Sequence, residues 1–418
     1  MTPRERSDLL ATRTGRRWLF ALLYLAEGAP IGYVWWALPT RLRDAGVPID
    51  DVARLAALVT LPWAFKFLWA PLVDAFRPRG GLRVWIAGAQ LAMGLTLLPI
   101  LWLDPVAQIG WLLAVLLVHA VSAATQDVSI DALAVATIPP DDRGAMTGWM
   151  QIGMLSGRAL FGGVALAVEH WVGAELVVAV LIGFVWLSAA VLWRVRERPG
   201  EPEADRQGAA ARVKLADFAR RLRRVLVEPA TWLGLAIAVV AGAGMEATGT
   251  VAGPMLIDLG FDKATVGRFF ALPAVAAMGL GALLGGRLSD RGRRDARLAG
   301  AVGALAAAVV GLAAAVALGA AASPLVLFGV LSGVYALFGV YVASAYALFM
   351  DLTDPRLGGT QFSAYMSGVN LCSVWSAWAV GWLAAGWGYP PALAALAAAS
   401  LAVWPLLAWL RRRTPGLR

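Results

Sequence analysis

Long apolar runs, separated by short polar or basic segments, repeat along the whole chain. Twelve can be marked: 18–38, 52–74, 82–103, 106–137, 145–168, 171–193, 230–257, 264–288, 296–318, 322–350, 359–384 and 388–410. Each is long enough for the ~20 helical residues that cross a bilayer at about 1.5 Å per residue. The fourth and tenth are the longest and must tilt, bend or protrude. The pattern predicts an all-α polytopic membrane protein with twelve transmembrane helices.

The basic residues give these runs a direction. With the N-terminus inside, the inner loops receive most of the 36 Lys and Arg, including the ten of 194–224 and the tail Arg411, Arg412, Arg413 and Arg418. The outer loops receive Arg41, Arg43, Arg54, Lys263 and Arg268. Lys66 and Arg158 are left for the membrane region. This is the asymmetry of the positive-inside rule, and an odd number of spans in either half would destroy it. The chain then reads as a six-helix bundle over 1–193, a linker over 194–229 and a second six-helix bundle with a basic tail over 230–418. The linker opens on the breaker Pro199-Gly200-Glu201-Pro202. Its later part, 212–227, alternates basic residues with Val213, Leu215, Phe218, Leu222 and Val225, as an amphipathic helix on the inner surface would.

Composition agrees. The chain of 418 residues is 60% hydrophobic and 15% charged, against ~25% charged for a soluble domain, and its mean hydropathy is +0.69. The net charge of +9 sits in inter-span loops, which argues against a nucleic-acid partner. The one cysteine, Cys372, excludes a disulfide or a thiolate metal cluster within the chain. His119 and His170 are too far apart for a metal motif. No nucleotide-binding loop or His-rich metal pattern supports an enzyme, and no cleavable signal is expected, because the first apolar run continues past Glu27.

The two halves echo each other. Glu27 in the first span corresponds to Glu246 in the seventh, Leu61-Pro62 to Leu272-Pro273, Asp74 to Asp290, and Arg143 to Arg356. Two such halves with the same orientation are parallel pseudo-repeats, an arrangement used by secondary transporters.

Charged residues inside the spans are the candidate chemistry. An ionised carboxylate facing lipid is costly, so Glu27 and Glu246 should face a central cavity or carry a proton. They either bind protons or substrate, or accept hydrogen bonds between helices. Asp127 and Asp131 are four apart and share one face of the fourth span. Two like charges there call for a cation, and Arg158 and Lys66 are at hand. Such a pairing is either a gating network or a static brace. Tyr33, Gln90, His119, Gln126, Gln151, Gln361, Tyr365 and Asn370 are candidate cavity lining. Trp35 and Trp36 read first as an interfacial anchor and second as a stacking surface for a large solute.

Two kinds of motif carry a family resemblance. Gly286-Arg287-Leu288-Ser289-Asp290-Arg291-Gly292-Arg293-Arg294 resembles the signature loop of major facilitator transporters, with one residue missing between Arg291 and Gly292. The resemblance implies gating roles for Asp290 and Arg291. The run from Leu61 to Asp74, the run from Ala124 to Ala132 and Gly359-Thr360-Gln361-Phe362-Ser363 resemble the branch holding muropeptide permeases, acetyl-coenzyme A transporters and siderophore importers. The first span is most similar to the siderophore importers. Lys66, Asp74, Asp127 and Asp131 belong to that branch's shared pattern. The resemblance implies the major facilitator fold and proton-driven import of a bulky polar solute across a bacterial inner membrane, with both termini cytoplasmic. It implies a monomeric carrier whose partners are the solute and the bilayer, powered by the proton gradient with no bound cofactor. Few buried cations disfavour a highly phosphorylated solute. An exporter of amphiphiles with the same fold, and a membrane sensor or scaffold, are the other readings.

Overall fold

The computed structural model describes residues 8–75, 81–138, 142–195, 227–289, 293–319, 323–353 and 358–413. The linker helix expected over 212–227, apart from Val227, lies outside them, as do Asp290 and Arg291.

Every one of the twelve apolar runs is helical. In chain order the helices are α1 Arg13–Asp44, α2 Ile49–Phe65, α3 Leu82–Leu101, α4 Ile109–Thr137, α5 over 143–172 and α6 Ala174–Arg194. They continue with α7 Pro229–Asp258, α8 Lys263–Leu288, α9 Arg294–Ala317, α10 Pro324–Leu352, α11 Gly358–Trp387 and α12 Tyr389–Arg413. Among the described residues, ten helices are long and apolar enough to cross a membrane. The runs that miss this standard do so for different reasons. After α2 the backbone tightens into a 3-10 turn over Lys66–Leu68 and resumes as a short helix, Ala70–Ala75. α11 has the length, but Ser, Gly, Trp and Asn dilute its apolarity.

Prolines place several breaks. A proline removes an N–H and clashes with the carbonyl four residues earlier. α8 is interrupted at Leu272, just before Pro273, and α12 at Leu401 and Ala402, before Pro405. α7 breaks at Ala241-Gly242 without a proline. There Trp375 Nε1 donates to Val239 O at 2.8 Å, and Gly244 N donates to Ser400 Oγ at 2.9 Å. Side chains thus take over hydrogen bonds that the helix gives up. Pro62 and Pro30, by contrast, sit inside continuous helices.

The contacts gather into two compact units. Unit 1 holds Met1–Glu197, Gly249–Ala276 and Ala377–Gly386; unit 2 holds Arg198–Thr248, Ala277–Ser376 and Trp387–Arg418. The principal seam of unit 1 joins α1 to α5. A Cβ on Gly28 would fall 2.2 Å from Met154 O, and one on Gly32 2.6 Å from Arg158 O. From the other side, a Cβ on Gly153 would fall 2.1 Å from Ala21 O, and one on Gly157 2.4 Å from Leu25 O. Glycines four apart on both helices let the backbones touch, as in small-xxx-small packing. Just beyond this contact both helices widen into π turns, Tyr33–Ala37 in α1 and Ala159–Val164 in α5. Below it, Leu19, Phe20 and Leu23 meet Ile86, Ile130, Leu133, Met146 and Met150 in one apolar core. In unit 2 the same device joins α8 to α10, where a Cβ on Gly281 would fall 1.8 Å from Ala336 O and one on Gly339 2.1 Å from Met278 O.

Large apolar side chains cover the outside. Leu187, Leu280, Leu283 and Val121 are exposed, as are Trp102, Trp171 and Trp193 near helix ends. Such a surface suits hydrocarbon with an aromatic belt. Trp36 is not part of that belt: it is buried.

The α1–α5 seam is directly testable. Gly157→Ala forces a methyl into backbone and should cost about 1–3 kcal/mol, typical of overpacking. Thermal unfolding in detergent should then begin at a lower temperature. Gly148→Ala, whose new methyl meets nothing within 4 Å, should show no such loss.

Candidate proton and substrate site

The site is built on α4, whose uninterrupted helix stacks Asp127 and Asp131 one turn apart. The end of α2 supplies the cation. At Lys66 the chain leaves α2 for the 3-10 turn, so the side chain departs from a helix C-terminus, where a positive charge is favoured. Lys66 Nζ lies 2.5 Å from Asp127 Oδ2, and both side chains are largely shielded. The second carboxylate, Asp131, lies on the accessible side of α4 and accepts a hydrogen bond from Tyr24 OH on α1.

One turn along α1 from Tyr24 comes Glu27. It is 4% exposed, and its Oε2 has no hydrogen-bond partner among the described residues. Its charge is felt by Asp127, Asp131, Lys66 and Arg158. Arg158 stands on α5 at the start of the π turn. The Gly28–Met154 and Gly32–Arg158 contacts hold these two helices together, and Arg158 interacts electrostatically with Glu27. Three carboxylates, two cations and a phenol from α1, α2, α4 and α5 therefore share one polar cluster. With the phenol neutral and the three carboxylates ionised, the cluster carries one negative charge without a matching cation.

The second expected glutamate, Glu246, is described within unit 2. It is half-buried in the first turn of α7 after the break, where the N-terminal end of a helix favours an acidic group. It interacts electrostatically with Tyr341 and Cys372. The Tyr341 hydroxyl is buried without a hydrogen-bond partner among the described residues and lies 3.1 Å from where a Cβ on Gly242 would be. Cys372 Sγ is 3.9 Å from Ser376 Oγ.

The remaining expected positions are dispersed. Gln361 and Tyr365 are buried: Gln361 Nε2 donates to Thr231 Oγ1 at 3.2 Å, to Leu352 O at 3.2 Å and to Tyr365 OH at 3.1 Å. They clamp α7, α10 and α11 together. His119 Nδ1 lies 3.2 Å from Met93 O and 3.3 Å from Thr96 Oγ1, tying α4 to α3. Gln90 and Gln126 are fully buried, and their amide ends have no hydrogen-bond partner among the described residues. Gln151 is exposed and Asn370 half-buried. Tyr33 is buried and accepts from Arg41 Nη1 at 2.9 Å. Trp35 Nε1 donates to Thr60 Oγ1 at 3.0 Å, and its ring meets Trp63 edge-on at 5.3 Å. Trp36 stacks on Phe270 at 5.1 Å. Both tryptophans are therefore held by neighbouring helices, and the interfacial anchor expected of them gives way to packing. Asp74 lies in the short helix Ala70–Ala75. Asp290 and Arg291 fall outside the described residues. Among the described residues, no group of three or more His, Cys, Asp or Glu is placed to hold a metal ion. A groove of about 390 Å³ between α3 and α4, lined by Val84, Trp85, Gly88, Ala89, Val121, Ser122 and Thr125, contains none of the expected site residues.

Sequence reasoning missed Tyr24 as a member of the site, and it missed Glu169. Glu169 is 9% exposed and lies 3.1 Å from Arg41. The expected fifth span stopped at 168, one residue short. An acidic side chain closing an apolar run, with Arg41 at the end of another, was the available signal.

The chain matches the family model described as Major Facilitator Superfamily over residues 20–336 and 237–418. The anhydromuropeptide permease of Escherichia coli (strain K12) is 27% identical over 287 residues, which cover 65% of this chain and 55% of that protein. The chain thus spans about half the length of the curated relatives it matches. An uncharacterized protein of Haemophilus influenzae is 36% identical over 108 residues, 25% of each chain. Among solved structures, a D-xylose-proton symporter superposes with a TM-score of 0.75 at 13% identity, covering 93% of this chain and 96% of that one. A bacterial homolog of the human lysosomal transporter Spinster, inward-facing and unoccupied, gives 0.73 at 16% identity, covering 100% and 99%. At these identities the likeness is one of fold.

The Lys66–Asp127 pair generates a stability prediction. Lys66→Met leaves Asp127 shielded from water without its cation and should cost about 3–5 kcal/mol. The double variant Lys66→Met/Asp127→Leu should recover much of that loss. Chemical or thermal unfolding in detergent measures both.

Proposed function

We propose that this chain, which belongs to the Major Facilitator Superfamily, is a proton-coupled importer of a bulky polar solute, of muropeptide-like or siderophore-like character. As a member of that superfamily it is a secondary transporter of the membrane rather than an enzyme. The proposal extends to twelve spans with both termini in the cytoplasm of a bacterium, and to alternating access by rocking of 1–193 against 230–418.

The observation that carries the proton role is the charge balance on α1, α2, α4 and α5. Lys66 holds Asp127, Tyr24 holds Asp131, and the buried Oε2 of Glu27 has no donor. A buried carboxylate oxygen left without a partner is expensive. A proton on Glu27 removes the surplus negative charge, so that an anionic group of the solute can approach Arg158 without repulsion from that carboxylate. Binding of one then depends on the presence of the other, which is the linkage a coupled carrier needs. Arg158 is placed to meet an anionic group of the solute. The similarity to the anhydromuropeptide permease of Escherichia coli favours a large polar cargo. In this reading Glu246 serves the second half as Glu27 serves the first, and Lys66, Asp74, Asp290 and Arg291 belong to the gate on the cytoplasmic side.

Purified protein in liposomes with an imposed pH gradient tests the reading. The panel should include anhydro-sugar peptides, iron-free and iron-loaded siderophores, and amphiphilic drugs. At least one polar solute should accumulate on the alkaline side, and a protonophore should abolish its accumulation. Accumulation of amphiphiles alone, against the proton flow, would establish the exporter instead. Glu27→Gln should retain downhill exchange of the solute but lose at least tenfold of the gradient-driven accumulation. Wild-type accumulation with unchanged pH dependence in that variant would remove Glu27 from the coupling.

A further inference from the structure

The basic end of unit 2 carries a surface that the transport site does not use. Beyond the break at Leu401 and Ala402, the last segment of α12, Val403–Arg413, buries Val403, Leu407 and Leu410. Helix spacing sets what stands on either side of that buried stripe. Trp404 and Arg411, seven apart, share one flank. Trp409 and Arg413, four apart, share the other. All four are exposed.

The first flank meets α9. Trp404 Nε1 donates to Ala299 O at 3.0 Å, and a Cβ on Gly303 would fall 3.0 Å from Trp404 Cζ2. The indole is thus fixed against a glycine, although Trp404 is 46% exposed. Next to it, Ala296, Gly300 and Ala304 give α9 an exposed face of small residues. A Cβ on Gly300 would meet nothing within 4 Å. The result is a smooth apolar floor with an indole wall.

Arginines stand at the head of this groove. The first segment of α12 packs along α9 as well, and the two helices run in opposite directions. Arg297 and Arg411 therefore lie on the same side of the Ala299–Trp404 hydrogen bond. Arg297 is exposed one turn before Gly300. Two acidic groups at this end are already committed: Arg293 pairs with Asp295, and Arg294 Nε lies 2.6 Å from Asp351 Oδ2. Arg411, Arg412 and Arg413 have no ion-pair partner among the described residues. A helix C-terminus favours cations, but that accounts for all three arginines alike and for neither the floor nor the fixed indole.

We infer that the groove between α9 and α12 binds one anionic phospholipid, with its phosphate at Arg411 and Arg297 and an acyl chain on the floor against Trp404. Guanidinium groups match phosphate oxygens with paired N–H donors. Basic side chains beside a membrane-spanning helix attract anionic lipid. The floor continues the apolar outer surface, so a chain laid on it stays in hydrocarbon. A soluble anion would meet the arginines and leave the floor unused. A lipid seated in this way links α9 to the part of α12 beyond its break.

Native mass spectrometry of the purified protein tests the site. Delipidated protein in detergent receives phosphatidylglycerol and phosphatidylcholine of matched chains in equal amounts. The parent should retain phosphatidylglycerol at least fivefold over phosphatidylcholine. Arg411→Gln and Gly300→Leu should each lower that retention at least fivefold, the first by removing the charge and the second by filling the floor. Arg413→Gln, an equal loss of charge on the opposite flank, should retain lipid as the parent does. Thermal unfolding without lipid should be the same for all four proteins, and Arg297→Gln supplies a further arm if Gly300→Leu folds poorly. Equal losses in Arg411→Gln and Arg413→Gln would reduce the effect to unspecific charge and overturn the inference. Parental retention by Gly300→Leu, or equal retention of the two lipids by the parent, would overturn it as well.

Discussion

The contact on which the rest depends is the bare meeting of two helix backbones, α1 and α5. Gly28 and Gly32 press on the backbone of Met154 and Arg158, and Gly153 and Gly157 on that of Ala21 and Leu25, with no room for a methyl on either side. Without a hydrophobic force between helices in lipid, close packing of this kind supplies the attraction. It also decides where polar groups go. Glu27 and Arg158 are neighbours of these glycines in sequence, so the seam that joins the helices brings a carboxylate and a guanidinium into the interior. The π turns that follow in both helices redirect the chain beyond the seam. They reposition Tyr33, Trp35 and Trp36 relative to a straight helix, and π turns frequently accompany functional sites.

The second constraint is electrical. A low-dielectric interior tolerates charge only when it is matched, and a mismatch is where a proton or a charged solute has something to do. Unit 1 shows both conditions. At the Asp44 end three anions meet three cations. On α1, α2, α4 and α5 three carboxylates meet two cations, and one carboxylate oxygen has no donor. A balanced set suits a brace, and an unbalanced set suits a binding site.

Much of the architecture was legible because hydrocarbon imposes it. A run of twenty apolar residues has few alternatives to a helix, and all twelve runs are helical. The interruptions were harder to read. Pro273 and Pro405 break their helices whereas Pro62 does not, because neighbours decide whether freed backbone groups find partners. The pairing of Lys66 with the fourth span followed from two like charges on one face, and Lys66–Asp127 is present. Polar residues in apolar runs were less readable. Gln361, Tyr365 and His119 were expected to line a cavity; Gln361 and His119 have hydrogen-bond partners on adjacent helices, and Tyr365 accepts from Gln361 one turn away on its own helix. Sequence spacing shows which face of a helix a side chain occupies, but not what stands opposite. Tyr24 entered the site for that reason only when Asp131 was seen across from it.

Calorimetry tests most directly whether solute and proton meet at Glu27. Binding of a transported solute to the purified carrier is measured in buffers that differ in ionisation enthalpy, which counts protons taken up with the solute. The wild type should bind solute with net proton uptake, and Glu27→Gln should bind it with none. Equal proton uptake by the two proteins would contradict the account.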